Sequence, residues 1–178
     1  MGGIIIIYKM MDNKMKDTLK ENQPWVMVLI GPPLSGKTTF INRDLKEFDF
    51  EVVSRDKIVI DVFGEDDYNS AFANVDQKKV DKVLQNQFQT LSNSEKNVVI
   101  DMTNMTRKRR ISNLSNFKNH YKIGVIFPIL DVSEYESRNK KRTEEEKKTI
   151  PMGVIKNMIS SYQTISKIEG FDKVFSLK

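Results

Sequence analysis

The eight residues Gly31-Pro32-Pro33-Leu34-Ser35-Gly36-Lys37-Thr38 fit the pattern GxxxxGK(S/T), which encodes a loop that encloses phosphate oxygens. The pattern follows the apolar run Val26 to Ile30 and precedes a helix-like stretch from Thr38 to Lys46. Strand, glycine-rich turn and helix in that order let backbone N–H groups and a helix N-terminus converge on phosphate. Lys37 supplies a point charge for the β and γ phosphates of ATP, and Thr38 offers a hydroxyl to magnesium. Gly31, Pro32, Pro33, Leu34, Ser35, Gly36, Lys37, Thr38 and Thr39 are therefore the expected ATP-binding loop. A plain strand-to-helix turn would explain the glycines, but not why Lys37 and Thr38 follow them.

A triphosphate site does not name a reaction, so the acceptor side must decide. Ser54-Arg55-Asp56-Lys57 follows the second apolar run. Asp56 there is a candidate general base for a hydroxyl, and Arg55 a grip for an acceptor phosphate. Capping of the helix that begins near Lys57 is the other role open to Asp56. Asp101 closes the run Val98-Val99-Ile100, where a carboxylate can hold a magnesium-bound water. Thr103 and Asn104 add neutral hydrogen-bonding groups for the acceptor, with a turn or cap role as the alternative for Asp101 and Asn104. Arg138 and Arg142 are four residues apart, so on a helix both point the same way and can close over donor phosphates as a lid.

These groups need a scaffold that brings strand ends together. Apolar runs at Val26 to Ile30, Val52-Val53, Val98 to Ile100, Ile123 to Phe127 and, more weakly, Val174-Phe175 read as buried parallel strands. Helical spacing lies between them, clearest from Phe72 through Val75, Val80, Val83, Leu84 and Phe88 to Leu91. The fold class expected is α/β: a parallel sheet of about five strands flanked by helices, with a basic helical lid. Sites in such sheets lie at the carboxyl ends of the strands, which is where Gly31, Asp56 and Asp101 fall. Residues 24–178 are read as one domain, preceded by an N-terminal arm, residues 1–23, expected to be poorly ordered. The run Ile4 to Ile7 is too short for a signal peptide or membrane helix, and Ile6 departs from a myristoylation pattern. A cytoplasmic or nuclear protein that is not secreted and does not enter membranes is the expectation.

Composition narrows the chemistry further. The absence of Cys removes disulfides, thiolate metal clusters and a cysteine nucleophile, and a single histidine, His120, leaves little scope for a catalytic triad. The net charge of +5 suits a polyanionic partner. From Met105 to Arg142 there are ten Lys or Arg against three Asp or Glu, densest at Arg107-Lys108-Arg109-Arg110. That block reads either as a nucleic-acid contact or as a solvated helix face. Trp25, Phe63, Tyr68, Phe72 and Tyr135 are aromatics that could stack on bases, with Trp25 and Phe72 expected in the core.

Taken in order, the loop Gly31 to Thr39, the Arg55-Asp56 pair, Val98-Val99-Ile100-Asp101-Met102-Thr103-Asn104 and Arg138-Asn139-Lys140-Lys141-Arg142 ahead of Ile150-Pro151 resemble the 5'-hydroxyl polynucleotide kinases of bacteriophage and animal repair systems. The resemblance spans Trp25 to Ser166. It implies a P-loop kinase that transfers the γ-phosphoryl of ATP, with Mg2+, to 5'-hydroxyl ends of DNA or RNA. By the same resemblance Lys37 and Thr38 hold the triphosphate, Asp56 is the general base, and Arg142 with Arg138 are lid arginines. Two positions depart from the phage form: Leu34 stands where those enzymes carry Gly, and Val59 where they carry an acceptor-binding Arg. A P-loop kinase of a small molecule such as a nucleoside or nucleotide, which Val59 favours, and a non-catalytic nucleotide-binding adaptor are the alternatives.

Overall fold

A computed structural model describes residues 11–65 and 67–177. Five strands, β1 (Trp25–Ile30), β2 (Glu51–Ser54), β3 (Val98–Asp101), β4 (Tyr121–Ile126) and β5 (Lys173–Ser176), form one sheet. Its order is β2-β3-β1-β4-β5 and every neighbouring pair is parallel. This is the five-stranded parallel α/β sheet expected from the apolar runs. β1 is buried at all positions, as a central strand covered on both faces must be. Its side chains alternate between two cores. Val26, Val28 and Ile30 enter one, and Trp25, Met27 and Leu29 the other.

Helices α3 (Arg55–Phe63), α5 (Gln77–Ser92) and α6 (Arg107–Leu114) bury Ile58, Val59, Val80, Leu84, Phe88 and Leu114 in the first core. The second is closed by Phe40 and Ile41 of α2 (Lys37–Asp44) and by Met15 and Leu19 of α1 (Asn13–Glu21). Residues 11–23 therefore do not form the poorly ordered arm expected of them. Asp12 caps α1 by accepting from the Met15 N–H at 2.8 Å; Met15 and Leu19 share one helical face, and Met11, ahead of the cap, packs into the same core. Full burial of each such side chain contributes about 1.5–3 kcal/mol. The run Ile4 to Ile7 and the Met1-Gly2 start lie outside the described residues.

The long helical pattern from Phe72 to Leu91 also divides. Helix α4 (Tyr68–Asn74) stops at Val75, whose backbone is extended, and Asp76 starts α5 by accepting from the N–H groups of Lys78 and Lys79. Phe72 thus belongs to a separate helix and is 37% exposed rather than buried in the core. Helices α7 (Val132–Glu146) and α8 (Met152–Ser160) enclose a third, small cluster of Tyr135, Ile150 and Ile155, with Leu34 packed against it. Among the described residues no helix is long and apolar enough to cross a membrane.

Two basic groups have structural duties. Arg110 is fully buried; it donates to both carboxylate oxygens of Glu169, at 2.5 and 2.9 Å, and to the carbonyls of Asn104, Met105 and Gln163. Arg110 is thereby withdrawn from the basic block's solvent face and ties α6 to the chain ahead of β5, while Arg107, Lys108 and Arg109 stay exposed. His120 is buried edge-on against Phe117, with Nε2 3.0 Å from the Lys96 carbonyl. Burial lowers its pKa from the usual 6.5, so the folded protein holds it neutral while the unfolded chain protonates it. Its stabilising effect is present above pH 6.5 and is lost as pH falls from there toward the folded value. The melting temperature should therefore drop between pH 7 and 5 more steeply in the wild type than in His120→Gln, as parallel thermal melts would show.

Candidate active site

Strand register sets the frame of the site. Ser54 pairs with Asp101, and Ile100 with both Val53 and Val28, so the carboxyl ends of β2, β3 and β1 lie side by side. Their following residues line a single cleft of about 1440 Å³, roofed by α7 and the start of α8. Lys37, Thr38, Thr39, Asp56, Asp101, Thr103, Arg138 and Arg142 all line it.

The loop after β1 is shaped by three constraints. Gly31 donates to the Thr103 carbonyl at 3.0 Å, and a Cβ there would stand 2.8 Å from both Phe127 Cβ and Ser35 Oγ. Gly31→Ala must displace the loop or β4, so it should cost about 1–3 kcal/mol of stability and weaken ATP binding, measurable by melting and by titration with a fluorescent ATP analogue. Leu34 and Gly36 both adopt the left-handed region, at φ +64° and +99°. Leu34 carries that strain without a glycine's freedom, and its side chain packs on the lid cluster. Pro32 and Pro33 have no N–H, so the loop's donors to phosphate begin at Leu34. The prolines contribute shape, and the Pro32 carbonyl accepts from Lys37.

Lys37 is buried, with Nζ donating to the carbonyls of Gly31 at 3.0 Å and Pro32 at 2.7 Å. Burial pulls its pKa down to about 8; the charges of Asp101 and Asp56 oppose that shift and Arg142 adds to it. Asp101 moves the other way. Burial raises its pKa, the Lys37 charge lowers it and Asp56 raises it further. Lys37, Asp56 and Asp101 are thus in mutual electrostatic contact in the cleft. Ser35 Oγ is buried without a partner, a polar group that the loop's own residues leave unsatisfied and that suits a phosphate oxygen.

Asp56 occupies the first turn of α3, but Ser54 is the cap, its hydroxyl accepting from the Lys57 N–H at 3.5 Å. The carboxylate is therefore free for chemistry. Tyr68 donates to Asp56 Oδ2 at 3.3 Å, and Arg142 lies 5.3 Å from the centre of the Tyr68 ring. Arg138 lines the cleft while donating to Glu134 at 2.7 Å and to the Leu34 carbonyl at 3.0 Å. It fastens α7 to the loop after β1.

Two expected acceptor ligands do not face the cleft. Arg55 points to α5, donating to Gln77 at 2.7 Å and pairing with Asp81 at 3.6 Å. Asn104 is buried at φ +48°; its amide donates to the carbonyls of Leu29 and Met102, and its Oδ1 accepts from Asn113. It builds the turn after β3, the alternative role open to it from sequence. Thr103 remains at the cleft. Sequence reasoning named Tyr68 and Phe72 as possible base-stacking residues but missed that their rings stack on each other 4.4 Å apart, with the Tyr68 hydroxyl on Asp56. The four-residue spacing of two aromatics was the available signal.

Thr38 and Asp101 are hard oxygen donors at the cleft, and no cluster of three His, Cys, Asp or Glu residues among the described ones could hold a metal alone. That donor set suits Mg2+, which keeps several waters and binds through one or two protein oxygens plus substrate phosphates.

Comparison with known proteins gives the same fold. The family model of the AAA domain AAA_33 matches residues 26–165. No curated protein matches. Among solved structures, a chain in the Pnkp1/Rnl/Hen1 RNA repair complex has 24% identity and TM-score 0.65, covering 79% of this chain and 44% of that one. This chain spans less than half the length of that relative. A gluconokinase from Sinorhizobium meliloti 1021 has 11% identity and TM-score 0.53, covering 88% and 84%. Kti12 of Chaetomium thermophilum, in complex with ADP-AlF3, has 17% identity and TM-score 0.57, covering 85% and 88%.

Proposed function

This chain belongs to the AAA_33 family of AAA domains, and on that premise we propose that it transfers the γ-phosphoryl group of ATP to the 5'-hydroxyl of DNA or RNA ends. The observation that carries the reading is Asp56. It is a carboxylate relieved of capping, in the same cleft as the phosphate loop and in electrostatic contact with Lys37. The likeness to a chain of an RNA repair complex supports a nucleic-acid acceptor.

In this reading the loop N–H groups from Leu34 onward hold the donor phosphates, and Lys37 leaves the carbonyls of Gly31 and Pro32 to pair with them. Arg142, reaching down from α7, neutralises charge that spreads over the transferred group. Asp56 accepts the proton of the attacking hydroxyl. Thr38 and, through water, Asp101 would hold Mg2+, which would supply charge neutralisation at the donor phosphates.

A small-molecule acceptor is the second reading, favoured by two observations. Arg55 faces away from the cleft, and Val59, at the position of the phage-type acceptor arginine, is fully buried. The gluconokinase likeness over most of both chains supports it. Salt separates the two. For a multi-phosphate acceptor, KM should climb steeply between 50 and 200 mM salt, by about tenfold or more if two or more phosphates are contacted. A small neutral acceptor would show a flat profile and no competition from oligonucleotides.

A further inference from the structure

Tyr68 touches both halves of the cleft. Gly64 ends α3 in the left-handed conformation, at φ +85°, and Asp67 caps α4 by accepting from Ser70 at 3.0 Å. That turn brings Tyr68, the first residue of α4, back beside the first turn of α3. Its hydroxyl donates to Asp56 Oδ2 at 3.3 Å, and among the described residues no other group donates to that carboxylate. Its ring meets the lid, with the guanidinium of Arg142 at 5.3 Å and Nζ of Lys148 at 5.8 Å from the centroid. The neighbouring Asn69 amide donates to the Lys147 carbonyl at 3.4 Å, and Phe72 backs the Tyr68 ring at 4.4 Å.

We propose that Tyr68 is a positioning residue that registers the carboxylate of Asp56 with the lid guanidinium of Arg142, so that proton acceptance and charge neutralisation occur in one arrangement. The proposal rests on the kinase reading above. Without the hydroxyl, the Asp56 carboxylate loses the one donor it has among the described residues. Without the ring, the ion-pair partner left to Arg142 among the described residues is Glu146, 3.6 Å away on its own helix, which also pairs with Lys148 at 3.4 Å. The lid arginine would then be held by the lid rather than by the acceptor side. Burial, and next the Asp56 charge, push the phenol pKa up to about 12, so Tyr68 remains a donor and does not compete as a base.

A double-mutant cycle with one added variant tests this in the full chain. Tyr68→Phe should lower kcat about tenfold, the share of one hydrogen bond to a charged group, with KM for ATP within about twofold. The same change in an Asp56→Asn background should cost less than about twofold, because the hydroxyl acts through Asp56. Tyr68→Leu should in addition weaken binding of a fluorescent ATP analogue about two- to fivefold, the range of an exposed cation–π contact. A purely structural role would lower kcat by the same factor in both backgrounds. That result, or wild-type ATP affinity in Tyr68→Leu, would overturn the proposal. Failure of the acceptor reading shows separately, as wild-type protein that labels no 5'-hydroxyl end. The cycle is then read on ATP hydrolysis to water, and the affinity measurement needs no acceptor.

Discussion

Asp56→Asn is expected to lower turnover by about 10²- to 10⁴-fold, the usual share of a general base, with ATP affinity within about twofold of wild type. The amide keeps the size of the carboxylate and can still accept from Tyr68, so packing at the start of α3 is unchanged. It cannot take a proton. Because Ser54 rather than Asp56 caps α3, removal of the charge should leave helix and fold intact, and the melting temperature should move little. A loss confined to kcat separates a general base from a phosphate-binding or structural residue. Single-turnover transfer and analogue titration on the same preparation provide the check, and full-speed transfer by Asp56→Asn would remove Asp56 from the role.

Arg142→Ala should be comparably severe, with a loss of about 10³-fold or more, as for arginines that stabilise charge on a transferring phosphoryl group. Arg142 stands over Tyr68 with its side chain 21% exposed, and no buried network depends on it, so stability should stay near wild type. Arg142→Lys should recover little, because an ammonium has neither the planar fork nor the stacking surface of a guanidinium. Arg138→Ala should act differently. Its bonds to Glu134 and to the Leu34 carbonyl make it a link between lid and loop, so a rise in KM for ATP should exceed the fall in kcat. Equal kinetic profiles for the two arginine variants would contradict this division.

The parts of the fold legible in the sequence are those where one local rule governs. Each strand announced itself as an apolar run, although the edge strands β2 and β5 are only partly buried rather than buried as expected, and the loop after β1 announced itself as a glycine pattern between strand and helix. Asp56 and Asp101 were legible because strand ends in a parallel sheet converge. Direction around a helix or turn was not legible. Arg55 and Asp56 are adjacent, yet one faces α5 and the other the cleft, a difference of about 100° set by helix geometry and by the partner Gln77. Asn104 has the composition of a ligand, but a left-handed turn and the carbonyls of Leu29 and Met102 use its side chain. Arg110 sits in a basic run yet is withdrawn by Glu169, 59 residues later, a contact no local pattern contains. The packing of α1 was not legible, because intervening lysines and polar residues masked the narrow apolar face of Met15 and Leu19. Tyr68 gained its place only through the turn that folds α4 back on α3.

The most direct measurement is incubation of the protein with γ-labelled ATP, Mg2+ and matched 5'-hydroxyl DNA and RNA oligonucleotides, beside 5'-phosphate oligonucleotides and the Asp56→Asn protein. Label on the 5'-hydroxyl strands, absent from the 5'-phosphate strands and strongly reduced with Asp56→Asn, is the predicted result. No label on any strand while ATP remains bound would contradict transfer to polynucleotide ends and direct attention to a small-molecule acceptor in the same cleft.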